Sequence, residues 1–151
     1  VPKGVSFEKA EEAAKKKTSW IKAHLGKIRR IEHQHKAHNE CPAYISRAAA
    51  KGIILGRLEA LAGKYGFSYN RVYIRNQKTR WGSCSSKKNL SLNCKIALLP
   101  EELMDYVLLH ELAHLKHANH GKQFWDELNR LVGDAKALDR QLSEYQGLLL
   151  C

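Results

Sequence analysis

Apolar residues recur along this chain at helical spacing, then at alternate positions, then at helical spacing again. Phe7, Ala10, Ala14, Ile21, Leu25 and Ile28 form one helical stripe, with Ser6 placed to cap it and Glu8, Glu11 and Glu12 near its dipole-favoured end. The His-rich stretch from Arg29 to Cys41, stopped by Pro42, predicts a break. From Ala43 to about Lys64, Tyr44, Ile45, Ala48, Ala49, Ile53, Leu55, Leu58, Leu61 and Ala62 predict a second helix, closed by Gly63 and Gly66. Its breadth of apolar surface fits a buried support.

The period then becomes two. Val72 to Arg75, Arg80 to Ser85 and Leu90 to Leu98 read as strands, the last with Leu90, Leu92, Cys94, Ile96 and Leu98 alternating against Ser91, Asn93, Lys95 and Ala97. Ser86 to Asn89 is the expected hairpin turn, in a register that sets Cys84 opposite Ser91 and puts Arg80, Gly82, Cys84, Ser91, Asn93 and Lys95 on one polar face. Pro100 opens a third helix, expected to reach about Lys116, with Glu101, Glu102 and Asp105 in its first turns. Phe124, Leu128, Leu131 and Val132 predict a short helix broken at Gly133, and Ala135, Leu138, Leu142, Tyr145 and Leu149 a terminal one.

Length and composition narrow the class. The 151 residues suit a single domain, able to bury about 70% of its unfolded surface without disulfides. The longest apolar runs, such as Leu148 to Cys151, are far too short to span a bilayer, so no membrane partner is expected. Cys41, Cys84, Cys94 and Cys151 show no C-x-x-C spacing and no secretory signal is recognisable, which together predict reduced thiols in the cytoplasm. The start at Val1 leaves room for a trimmed segment.

Charge adds a partner. Of the net +11, residues 41–95 carry eleven Lys/Arg against one acid, Glu59, whereas residues 96–151 carry five against nine. That asymmetry points to an anionic partner, nucleic acid or nucleotide, at the 41–95 region, against the plainer reading that the cations only keep the surface soluble.

The chemistry lies in the third helix, where His110-Glu-Leu-Ala-His114 sits within an apolar run. Residues four apart on a helix are about 40° apart around the axis and about 6 Å along it, so both imidazoles can grip one ion. A catalytic zinc takes a third protein ligand and lowers the pKa of its water towards about 7, whose proton Glu111 could then accept. Two candidates for that third ligand follow. His117 would share the face of the first pair if the helix continued, but about 7 Å too far along it. His120 is favoured, because Asn119 and Gly121 tolerate left-handed backbone that could fold the chain back, leaving His117 to support a ligand from behind or to face the substrate. The ten-residue step from His110 to His120 has the metzincin spacing, yet His117 replaces that pattern's glycine and the only methionine, Met104, lies upstream. His33, His35, His38 and Cys41 could in principle hold a second metal, but their spacing matches no standard finger, and a wet connection is the simpler reading.

Several segments taken together resemble a known family. Gln77-Lys-Thr-Arg-Trp-Gly-Ser-Cys-Ser85, Asn89-Leu-Ser-Leu-Asn93, Asp105-Tyr-Val107, the His110 motif and Asn119-His-Gly-Lys-Gln-Phe-Trp125 resemble the YgjP-like metallopeptidase-type domain, a relative of the SprT-like and WLM zinc proteases. The likeness covers nearly the whole chain. It implies an α+β, zincin-like fold of the minigluzincin type, in which a small sheet or hairpin packs on an active-site helix between N-terminal support helices and C-terminal helices. It implies zinc ligands at His110, His114 and His120 and a catalytic base at Glu111. Val1 to Gly4 and Trp20-Ile21 resemble a point partway into the usual domain, so the family's N-terminal strands are expected to be missing.

The expected function is a zinc-dependent peptidase acting on a protein or peptide laid along a strand, with Arg80, His117 or Tyr106 steadying the oxyanion. Arg75, Lys78, Arg80 and His117 are the candidate substrate or anion contacts. The first alternative keeps the zinc but hydrolyses a nucleoside triphosphate through Arg75, Lys78 and Arg80, although no Gly-rich phosphate loop is present. The second is a nucleic-acid-binding module with a structural metal.

Overall fold

Ser46 starts the first helix. Its side chain accepts a hydrogen bond from Ala49 N at 3.1 Å, and helix α1 then runs Arg47–Tyr65. Gly66 stops it with φ +71°, a left-handed conformation that glycine adopts without strain. The computed structural model describes residues 45–150, all of which fall within one compact unit, Cys41–Cys151. The expectations for the first helix, the His33 to Cys41 cluster and Cys151 lie outside the described residues.

Three strands follow: β1 (Val72–Arg75), β2 (Gly82–Cys84) and β3 (Leu90–Asn93), in the order β1-β3-β2. β3 pairs parallel to β1 and antiparallel to β2. The hairpin register differs by one residue from the sequence expectation, since Gly82 faces Leu92 and Cys84 faces Leu90. The cause is the loop. Ser85 N donates to Asn89 O and Lys88 takes φ +60°, so the connection closes around three residues, Ser86 to Lys88, rather than four. A one-residue slip exchanges faces. Gly82 and Cys84 therefore share the inner face with Leu90 and Leu92, and Arg80, Asn93 and Lys95 are not fellows of one open polar face.

The last strand also ends early. Asn93 Oδ1 accepts from Lys95 N at 3.1 Å and caps a 3-10 turn, Cys94–Leu98, that replaces the expected second half of the strand. Lys95 is turned inwards and donates to Leu149 O at 2.6 Å. Asn93 itself is buried, and its Nδ2 donates to Gln77 O at 2.7 Å and Arg80 O at 3.0 Å. One side chain thus ties the 77–80 loop to the sheet.

Helix α2 (Glu101–Ala113) is the hub, packed on α1, β2, the 3-10 turn, α3 (Lys122–Val132) and α4 (Ala135–Ser143). A short helix α5 (Gly147–Leu150) completes the C-terminal part, so the expected terminal helix is two pieces. Leu103, Tyr106, Val107, Leu108, Leu109, Leu112 and Ala113 are all buried, which wraps apolar surface around most of α2. Full burial of a Leu or Phe side chain contributes about 1.5–3 kcal/mol, so the helix is held chiefly by its packing. Polar ties fix its rotation and slide: Arg57 of α1 binds Asp105 through two hydrogen bonds of 2.6 Å, and Tyr106 OH donates to Asp139 of α4 at 3.1 Å. None of the described helices is long and apolar enough to cross a membrane.

Candidate metal centre

α2 ends sooner than its apolar pattern suggests, and the early end shapes the site. The helix stops at Ala113 with His114 as its C-cap; Leu115 N then bonds back to Leu112 O, and Lys116 N and His117 N to Ala113 O. His117 therefore leaves the face shared by His110 and His114. Its backbone carbonyl instead faces His114 Nδ1 at 3.0 Å. A carbonyl can only accept, so the imidazole proton sits on Nδ1 and Nε2 keeps its lone pair for a metal. Beyond this turn the chain folds back towards α3 without left-handed residues, Gly121 having φ −76° and Asn119 being absent from the positive-φ residues.

The return brings His120 onto the helix pair. Its Nε2 lies 3.1 Å from His110 Nε2 and 3.1 Å from His114 Nε2, and the three ligand atoms all fall within 4.8 Å of one another. Tetrahedral zinc with bonds of about 2.0–2.1 Å separates its nitrogen ligands by about 3.3 Å, close to the two separations made by His120. Burial, with His114 and His120 alongside, pulls His110 down to about 3, and burial also lowers His114. Both therefore present neutral imidazoles, the form that binds metal.

Phe124, the third residue of α3, is fully buried behind all three rings. Its ring centre lies 4.9 Å from that of His110, 4.8 Å from His120 and 4.5 Å from His114, with which it stacks. Sequence reasoning assigned Phe124 to packing. What it packs against is the three-histidine cluster, and the signal in the sequence was its place just after Asn119-His-Gly121.

Glu111 lies under β2, beside the cavity that His110 also lines, and is only 6% exposed. Burial pushes its carboxyl up to about 7 while the charge of Arg80 pulls in the opposite direction. No described residue hydrogen-bonds its carboxylate. Above it lies Gly82, where an added Cβ would stand 2.9 Å from both Glu111 Cγ and Oε1. Glycine is needed there for room. Gly82 entered the sequence reading only as part of the Gln77 to Ser85 segment; its contact with Glu111 joins residues far apart in sequence and has no local signal.

A cavity of about 240 Å³ opens beside this carboxylate, lined in part by Arg80, Trp81, Gly82, Tyr106, His110 and Glu111. Among the sequence-derived contacts, Arg80 is the one placed here. Arg75 lines a separate groove with Arg47 and Lys51, Lys78 is exposed in the loop joining β1 to β2, and His117 meets the site through its carbonyl. Tyr106 is buried and its hydroxyl is committed to Asp139.

Two solved structures resemble this chain. The metallopeptidase zymogen abylysin of Pyrococcus abyssi is 31% identical, with a TM-score of 0.54 over 62% of this chain and 95% of that one. The zymogen jannalysin of Methanocaldococcus jannaschii is 30% identical, with a TM-score of 0.48 over 64% of this chain and 95% of that one. No curated protein matches. The fold is α+β and zincin-like. Residues 33–145 match the family described as YgjP-like, metallopeptidase domain, and with that span the chain belongs to the YgjP-like metallopeptidase family.

Proposed function

We propose that the chain is a zinc peptidase in which His110, His114 and His120 hold the ion and Glu111 is the general base. The observation that carries this reading is the pairing of three convergent imidazole nitrogens with a buried carboxyl on the same helix, one residue from a ligand. Three imidazoles with no thiolate or carboxylate favour zinc with one open position. Zinc held there would polarise a peptide carbonyl and acidify water.

The chain's own residues would do the rest. The peptide lies extended along β2, the strand at one end of the sheet and next to α2. Glu111 takes a proton from the attacking water as its oxygen bonds to the carbonyl carbon, then delivers that proton to the nitrogen as the C–N bond breaks. Gly82, having no Cβ, leaves room for the carboxylate beside β2. Arg80 is the favoured cation for the developing oxyanion, because it lines the cavity beside Glu111 while the Tyr106 hydroxyl is occupied by Asp139.

The test is a Glu111→Gln variant assayed on a mixed peptide library, with zinc measured in the same samples. Retained zinc with lost cleavage supports the reading. Equal cleavage by the variant and the wild type rules Glu111 out as the base.

A further inference from the structure

The two faces of the sheet differ in kind. Towards α2 it presents Val72, Ile74, Leu90, Leu92 and Cys84, all in or against the core. By strand alternation the opposite face carries Tyr73 and Arg75, with Ser91 and Ser83 beside Tyr73 in one row across the sheet. Arg71, exposed just before β1, has the same parity. Asn70 N donates to Lys88 O at 2.8 Å, which sets the hairpin cations Lys87 and Lys88 beside Arg71. Tyr73 therefore lies between Arg71, Lys87 and Lys88 on one side and Arg75 on the other.

Among the described residues nothing nearby neutralises these charges. Residues 60–100 contain no Asp or Glu, and none of the four cations forms an ion pair with a described residue. Past Arg75 the surface continues as a groove of about 570 Å³ between α1 and β1, with Arg47 and Lys51 on its helical side. Tyr73 is 39% exposed, and the Arg75 guanidinium lies 5.5 Å from its ring centre. Solubility alone would not call for a ring held open at the middle of a cationic row.

We propose that this outer face binds single-stranded nucleic acid, with phosphates on Arg71, Arg75, Lys87 and Lys88 and a base stacked on Tyr73. Cations that track a backbone around an exposed aromatic are the working parts of a single-strand platform. An acidic peptide supplies the charge but no flat partner for the ring. A duplex has its bases already stacked, and an anionic membrane meets only scattered exposed apolar side chains, Ile53, Tyr73 and Leu150 among the described residues. The platform is on the face turned away from α2, so its occupant leaves the histidine cluster open. Binding needs neither zinc nor Glu111 and stands or falls apart from the peptidase reading.

Fluorescence anisotropy of the full chain with labelled oligo-dT, over a salt series, tests it. Four neutralised phosphates at about 0.7 each predict a slope of log affinity against log salt of about −3. Replacing both Arg71 and Arg75 by Ala should flatten that slope by about 1.4 and weaken low-salt binding about tenfold. Tyr73→Ala should weaken binding about fivefold or more with the slope unchanged, a split that a merely structural role would not produce. Melting curves matching the wild type establish that the variants fold. The proposal is overturned by salt-independent or absent binding, by unchanged affinity in either variant, by tighter binding of a duplex, or by equal competition from polyglutamate or phosphatidylserine vesicles.

Discussion

Helix α2 and strand β2 face each other across the candidate site and contribute to it in opposite ways. The helix supplies groups: His110, Glu111 and His114 come from one turn and a half, and their relative placement is fixed by helical geometry alone. The strand supplies space and an edge, through Gly82 against Glu111 and a three-residue stretch at the end of the sheet. The helix's chemistry is local and survives small errors of packing. The strand's is relational, and depends on register, on Asn93 and on the loop it anchors.

This contrast can be broken from either side. On the helix, Glu111→Gln should cost about 10²–10⁴ in kcat/KM with zinc retained, measured by peptide cleavage and metal analysis. On the strand, Gly82→Ala should reach the same carboxylate indirectly, because the new Cβ must displace Glu111. An activity loss of up to about 100-fold is expected there with little change in melting temperature, since the clash falls on a side chain rather than on backbone. If Gly82→Ala were fully active, the strand's part in seating Glu111 would be lost from the account.

Asn93→Ala probes the anchoring beneath both. It removes the hydrogen bonds to the carbonyls of Gln77 and Arg80 and uncaps the 3-10 turn, for an expected loss of about 2–3 kcal/mol in urea unfolding. The smallest effect belongs to the surface. Arg130 and Lys116 hold the Glu127 carboxyl down at about 2, below its ordinary 4.5. A depressed folded value means that this contribution is complete above about 4.5 and disappears as pH falls towards about 2. Glu127→Gln should therefore lower the melting temperature by about 2 °C at pH 7, a gap that closes between pH 4.5 and 2, with solvent screening keeping it small.

Legibility in the sequence follows the same divide. The apolar run around His110 and the stop at Gly133 are local signals, and those helices appear near where the signals put them, whereas the Ser46 cap that starts α1 was not among the signals read. The end of α2 was less visible, because the turn at 114–117 is made by backbone hydrogen bonds that no residue type announces. The sheet was harder still. The alternation through Leu98 is real, yet the Asn93 side chain diverts the chain after four residues, and the hairpin loop closes one residue shorter than its composition suggested. The parallel pairing of β1 with β3 has no local signature at all. Phe124 read as core and is core; that its neighbours are the three imidazoles emerges only when α3 is docked.

X-ray absorption at the zinc edge of the zinc-loaded full chain reads the proposed ligands themselves. Imidazole nitrogens from three residues at about 2.0–2.1 Å plus an oxygen are expected, falling to two imidazoles in His120→Ala. Sulfur at about 2.3 Å, or three imidazoles persisting in His120→Ala, would contradict that assignment.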